Sequence, residues 1–174
     1  QGEGEHRLPM LIDHISRGAS FTLDGIHSST GQRCSRTPTT TPIEDLPFAD
    51  FSLIPLRTYW DLHYAHGPVR TGRYLSIFTS RGCPYACAFC QTPHMWGGRW
   101  MAKSPGRIAD EMDHYYSLYG VSDFHIQDEN FSLSRQRTKE FALELLRRGR
   151  HYTYCFPSGI KAETVGFDEL RLLR

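Results

Sequence analysis

The chain has 174 residues, 39% of them hydrophobic and 22% charged, with a net charge of +1. That is room for one hydrophobic core. The near-neutral balance gives no electrostatic reason to expect nucleic acid or an anionic membrane as partner, and no apolar run has the length of a membrane span or the pattern of a signal peptide.

The sequence opens at Gln1 rather than Met, as expected of a fragment or a processed product. Two regions differ in character, with the division at about residue 73. The first begins Gly2-Glu3-Gly4-Glu5 and continues into an expected helix over residues 5–17, with Leu8, Leu11, Ile12 and Ile15 on its inward face and Gly18 at its end. Ser28-Ser29-Thr30-Gly31 is a turn signal between expected short strands at 23–27 and 32–36. Residues 37–47, rich in Thr and Pro, read as an extended linker.

The second region alternates strands and helices. A strand at 74–79 leads into a loop that holds three of the five cysteines. Ser104 and Pro105 then open a helix as N-cap and first residue, with Ile108, Met112, Tyr115 and Tyr119 inward and Gly120 as its stop. A second strand at 124–126 runs into Gln127-Asp128-Glu129-Asn130-Phe131. Ser134 opens a second helix with Phe141, Ala142, Leu145 and Leu146 inward, closed by Gly149. A third strand at 152–156 leads to Pro157-Ser158-Gly159, and a third helix begins near Asp168. The order strand–helix, three times over, predicts parallel strands with right-handed crossovers.

The cysteines are Cys34, Cys83, Cys87, Cys90 and Cys155. An odd count with a tight triplet argues against a secreted disulfide scaffold and for a metal site in a reducing, cytoplasmic compartment. The triplet reads Cys83-Pro84-Tyr85-Ala86-Cys87-Ala88-Phe89-Cys90. Thiolates are soft ligands that hold zinc or iron–sulfur clusters. Gly82 and Pro84 suit a loop that must curl so that three thiolates converge, and the loop leaves the carboxyl end of a strand, where parallel α/β folds place their sites. A four-iron cluster on three thiolates keeps one iron open to a cofactor or substrate.

The spacing Cys-x3-Cys-x2-Cys, with an aromatic before the last Cys, resembles the radical S-adenosylmethionine (SAM) superfamily. Met95-Trp96-Gly97-Gly98-Arg99-Trp100, the 127–131 segment and Pro157-Ser158-Gly159-Ile160 narrow the resemblance to the subgroup with an N-terminal cobalamin-binding domain. The resemblance implies an α/β fold, a partial parallel (β/α) barrel with about three β/α units present in residues 74–174. Residues 1–73 would be the tail of a cobalamin-binding domain and a linker, most of that domain being absent.

The resemblance also implies a 4Fe-4S cluster on Cys83, Cys87 and Cys90, and SAM on the open iron, cleaved reductively to a 5′-deoxyadenosyl radical. Phe89 matches the aromatic beside the adenine. Asp128, Glu129 and Asn130 stand in place of the segment that meets the SAM amino group, but without that segment's two glycines. Ser158 and Lys161 match a polar segment after the third strand, where Arg is more usual than Lys. The implied reaction is cobalamin-dependent methyl transfer to, or rearrangement of, an unreactive carbon of a small molecule, with a flavodoxin- or ferredoxin-like reductant. The implied half-barrel is expected to be inactive alone.

Other readings stand beside these. His94 could complete Cys83, Cys87 and Cys90 as a zinc site in a non-catalytic binding module. A methylthiotransferase acting on transfer RNA shares the cysteine spacing. Asp128 and Glu129 could cap the following helix, and Phe89, Trp96 and Trp100 could be packing residues. Cys155 reads as a small buried hydrophobe and Cys34 as incidental. Asp61-Leu62-His63-Tyr64-Ala65-His66-Gly67 nearly spells the cobalamin-ligand pattern Asp-x-His-x-x-Gly, but its glycine comes one residue late, and the match is read as chance.

Overall fold

A computed structural model describes residues 4–18, 26 and 42–174. The expected strands at 23–27 and 32–36, Cys34 and the first part of the 37–47 linker lie outside the described residues, apart from Ile26.

The described elements are α1 (Gly4–Ser16), a 3-10 turn at Phe51–Leu53, α2 (Leu56–Asp61), β1 (Tyr74–Ile77), β2 (Ser80–Arg81), α3 (Thr92–Trp96), β3 (Met101–Ala102), α4 (Pro105–Tyr119), β4 (Asp123–Ile126), a 3-10 turn at Phe131–Leu133, α5 (Arg135–Arg147), β5 (Thr153–Cys155), a 3-10 turn at Ala162–Thr164 and α6 (Phe167–Leu173). Strands β1, β4 and β5 form an open parallel sheet in that spatial order. Each is followed by a major helix, α4, α5 or α6, so the three expected β/α units are present. Among the described residues, no helix is long and apolar enough to cross a membrane.

The caps are those expected. Ser104 Oγ accepts the Arg107 N–H at 3.2 Å and Ser134 Oγ accepts the Arg137 N–H at 3.2 Å, each satisfying an amide that the first helical turn leaves free. Gly120 ends α4 at a φ of 65°, in the left-handed region that a side chain disfavours.

Strand alternation divides the sheet. Leu75, Ile77, Phe124 and Ile126 pack with Ile108, Met112, Tyr115, Phe141 and Leu145 in one buried cluster. The alternate residues, Tyr74 and Ser76 on β1, Asp123 and His125 on β4 and Cys155 on β5, share the opposite, inner face. Residues 64–71 cross that face without regular structure. The Tyr74 hydroxyl donates to Tyr64 O at 2.7 Å, His66 Nδ1 meets Gln127 Oε1 at 3.2 Å, and Asp123 Oδ2 accepts the N–H of Arg70 at 2.7 Å and of Thr71 at 3.2 Å. Gly67 lies so close to β5 that a Cβ there would stand 2.8 Å from Cys155 Sγ.

Two expected faces differ. On α1, Leu8, Ile12 and Ile15 are exposed and the buried side chain is Arg7. This helix meets the body through its polar side, where Glu5 pairs with Arg81 at 2.6 Å. On α5, Leu146 is exposed because Phe141, Ala142 and Leu145 already fill the stripe facing the sheet.

Candidate functional site

The triplet loop begins where β1 ends. Thr79 and Ser80 are fully buried, and Gly82 turns the chain with a φ of 85°. A Cβ on Gly82 would lie 2.1 Å from the Arg99 carbonyl oxygen, so only glycine fits there. Residues 82–100 form one loop, closed at its neck by antiparallel pairing of Ser80 with Ala102 and Arg81 with Met101. This small hairpin was not expected from the sequence, because two-residue strands carry no periodicity.

Cys83 and Cys90 are half-buried and Cys87 is exposed, all as free thiols. Hydrogen bonding to the Thr92 side chain and backbone holds the Cys90 thiol below its ordinary pKa. Among the described residues, no three His, Cys, Asp or Glu side chains are gathered around a point as a single metal ion requires. The three thiols thus share a loop without yet sharing a point. Phe89 is 91% exposed on the same loop, so it is not packing beneath it.

The loops after β4 and β5 reach the cysteine loop from the same rim. The Asp128 carboxylate is buried and accepts the Thr79 N–H and hydroxyl, each at 2.6 Å, and the Ser80 hydroxyl at 2.5 Å. Beneath it lies Arg137. Its guanidinium donates to Thr79 O at 2.8 Å, Thr79 Oγ1 at 2.8 Å, Phe131 O at 3.2 Å and Lys103 O at 2.9 Å. Burial lowers the Arg137 pKa to about 10, opposed by the charge of Asp128.

Glu129 faces the other way. Its Oε2 accepts the Gly82 N–H at 3.1 Å and its Oε1 accepts the Trp96 indole N–H at 3.1 Å. Asn130 is buried, with the Ser132 hydroxyl 3.4 Å from its Oδ1. From the β5 side, Lys161 Nζ lies 3.6 Å from the centre of the Tyr85 ring, a cation–π contact with the cysteine loop. Ser158 is exposed in the turn before it. Of the sequence-based candidates, Glu129 and Lys161 are therefore brought to the loop itself and Asp128 to its root. The role of Arg137 was not assigned from sequence, whereas Gly82 was expected as a turn residue of the loop and Trp96 as a packing residue. An Arg in the first turn of the helix that follows the 127–131 segment was the available signal for Arg137.

A cleft of about 420 Å³ borders Ser80 and Arg81 beside the free edge of β1, and none of the three cysteines lines it.

A family model described as the radical SAM superfamily matches residues 77–172. The chain belongs to the radical SAM superfamily. Among curated relatives, this radical SAM chain is 26% identical over 166 residues to an uncharacterized methyltransferase of Pyrococcus horikoshii, covering 92% of this chain and 34% of the relative. It is 30% identical over 99 residues to cytidylyl-2-hydroxyethylphosphonate methyltransferase of Streptomyces wedmorensis, covering 56% and 18%. The chain thus spans about a third or less of either relative.

Among solved structures, it is similar to the radical SAM methyltransferase TsrM of Kitasatospora setae with tryptophan and a SAM analog bound. The TM-score is 0.61 and the identity 26%, over 85% of this chain and 28% of that one. The cobalamin-dependent SAM radical enzyme OxsB shares the fold, with a TM-score of 0.66 at 20% identity over 88% of this chain and 21% of that one.

Proposed function

We propose that residues 74–174 are the N-terminal half of the catalytic core of a cobalamin-dependent radical SAM methyltransferase, and that residues 1–73 are the tail of its cobalamin-binding domain and a linker. The observation that carries this reading is the junction at the rim. The triplet loop leaves the end of β1, Glu129 from the end of β4 holds its Gly82, and Lys161 beyond β5 covers its Tyr85.

The donor set fits a cluster. Three free thiols sit on a single loop, one of them held below its ordinary pKa by hydrogen bonding to Thr92. Cys83, Cys87 and Cys90 would hold a 4Fe-4S cluster, and the group supplies the one-electron chemistry that cleaves SAM. The protein's residues orient and enclose. Asp128 and Arg137 fix the root of the loop, and Glu129 offers a carboxylate to the SAM amino group. Phe89, already at the surface of the loop, would lie along the adenine, and Asn130, Ser158 and Lys161 would complete the polar rim. The substrate is a small molecule and the electron comes from a flavodoxin- or ferredoxin-like protein.

The methyltransferase names of the relatives above favour methyl transfer over methylthiolation, and membership of the family favours a cluster over structural zinc. The test is anaerobic purification of the complete gene product with assays for iron, sulfide, bound cobalamin and 5′-deoxyadenosine. A colourless protein with one zinc per chain, or one that makes no 5′-deoxyadenosine, overturns the reading.

A further inference from the structure

Three side chains outside the cysteine triplet, those of Glu5, Arg81 and Trp96, link the N-terminal helix to Glu129. Arg81 immediately precedes Gly82 and the first cysteine, and pairs with Glu5 of α1 at 2.6 Å. The Arg81 guanidinium lies 4.9 Å from the centre of the Trp96 ring. The Trp96 indole N–H is bound to Glu129 Oε1, and Glu129 Oε2 returns to the Gly82 N–H. Trp96 Cβ also stands 3.2 Å from where a Gly82 Cβ would be, so the ring leans on the chain reversal itself.

Glu129 is an exposed carboxylate on a loop. An exposed glutamate ordinarily samples many rotamers, and confining it carries an entropic cost. Here two N–H donors, one on each oxygen, hold it in one orientation. A carboxylate accepts about four hydrogen bonds, so two donors leave capacity for a further cation. One of those donors is backbone and fixed. The other is an indole that Arg81 holds by its face, and Arg81 is held in turn by Glu5.

We propose that Trp96 is a positioning residue, which with Arg81 and Glu5 pre-orients the Glu129 carboxylate toward the ammonium group of SAM and so makes SAM affinity sensitive to the seating of α1. The inference rests on the reading of Glu129 given above. The single donor of Trp96 is occupied by Glu129, so its influence is exerted through that carboxylate.

The test compares SAM dissociation constants, by equilibrium binding to the anaerobically purified complete gene product, for wild type, Trp96→Phe, Glu129→Ala, the double variant and Glu5→Gln. Phe keeps a ring over Arg81 and removes only the N–H. Trp96→Phe is expected to weaken SAM binding about tenfold, as the loss of a hydrogen bond to a charged group does, with iron content unchanged. In the Glu129→Ala background, which has no side-chain acceptor for the indole, the same change is expected to have no further effect, because Trp96 acts through Glu129. Glu5→Gln is expected to weaken binding in the same direction by about threefold.

Unchanged affinity in Trp96→Phe, or effects of the two single variants that multiply in the double, overturns the proposal. Loss of iron from Trp96→Phe also overturns it, by making Trp96 a support of the cysteine loop alone. Failure of the wild-type protein to bind iron and SAM defeats the functional reading as well. Normal binding by wild type with an indifferent Trp96→Phe defeats only this inference.

Discussion

His125 stacks on Tyr74 across the inner face of the sheet, with ring centroids 5.1 Å apart and planes 18° from parallel. The imidazole is fully buried, no well-formed hydrogen bond reaches either nitrogen among the described residues, and Asp123 Oδ1 lies 3.9 Å from Nε2. The contact is therefore one of ring faces, and it suits the neutral form of the histidine.

Burial pushes the His125 pKa below its ordinary value, and the charge of Asp123 with a weak contact to the Pro68 backbone only partly opposes this. In the unfolded chain the ring titrates near about 6.5. Below that pH the unfolded state takes up a proton that the folded state resists. Stability from this group is thus complete above about pH 6.5 and is lost as the pH falls toward the lower folded value. Urea midpoints measured from pH 8 to pH 5 should fall, and His125→Leu should flatten that slope. The Glu144 carboxyl, held at about 2 by hydrogen bonds from Arg147 and Arg148, titrates in a separate, more acid window. An unchanged slope in His125→Leu would assign the loss to other histidines.

Asp128→Ala should be among the more damaging single substitutions in the chain. It leaves the Thr79 amide and the Thr79 and Ser80 hydroxyls without their acceptor and removes the charge that opposes the desolvation of Arg137. Leaving one buried donor unsatisfied costs about 1–3 kcal/mol, and this substitution strands three of them. Asp128→Asn keeps one acceptor and should cost less. Urea denaturation of the metal-free protein measures both. A loss under about 1 kcal/mol for Asp128→Ala would mean that water replaces the carboxylate at little cost.

Gly82→Ala should prevent cluster uptake while leaving the sheet folded. The new methyl group would collide with the Arg99 carbonyl, and the backbone at that position has a positive φ. The loop neck must then open, moving Cys83. The check is iron content beside far-ultraviolet circular dichroism, and full iron loading in this variant would show that the neck adapts.

Cys83→Ala, Cys87→Ala and Cys90→Ala should each abolish the binding of about four irons per chain. Cys155→Ala and Cys34→Ala should not. Cys155 is on β5, under Gly67, and burial raises its thiol pKa, which favours the neutral form rather than the thiolate a metal needs. Iron and sulfide assays on the five variants decide this, and retention of iron by any of the first three removes that cysteine from the ligand set.

The residues that read well in the sequence are those governed by local rules. Ser104, Pro105, Gly120 and Ser134 mark helix ends because capping and left-handed geometry are decided within a few residues. The stripes Ile108, Met112, Tyr115 and Phe141, Ala142, Leu145 follow the helical period. The same period misled on α1. Leu8, Ile12 and Ile15 make a plausible inward face, but the contact made is the long-range Glu5–Arg81 pair, 76 residues apart in sequence. The division of labour within Asp128, Glu129 and Asn130 was illegible for a similar reason. Three adjacent polar residues look alike until the strand direction sends the Asp128 side chain to Thr79 and that of Glu129 to Gly82. The hairpin of β2 and β3 is too short to show a pattern, although it alone makes residues 82–100 a closed loop.

The irregular segment at 64–71 has an implication for the order of assembly. Its anchors are side chains of Tyr74, Asp123 and Gln127, which face the same way only after β1 and β4 have paired. Nothing within the segment supplies a ladder of its own, so it has no structure to form in advance. It should therefore settle late in folding and open first. In native-state hydrogen exchange, the amides of Arg70 and Thr71, which end on Asp123, should exchange by a smaller opening than the β1–β4 ladder beneath them.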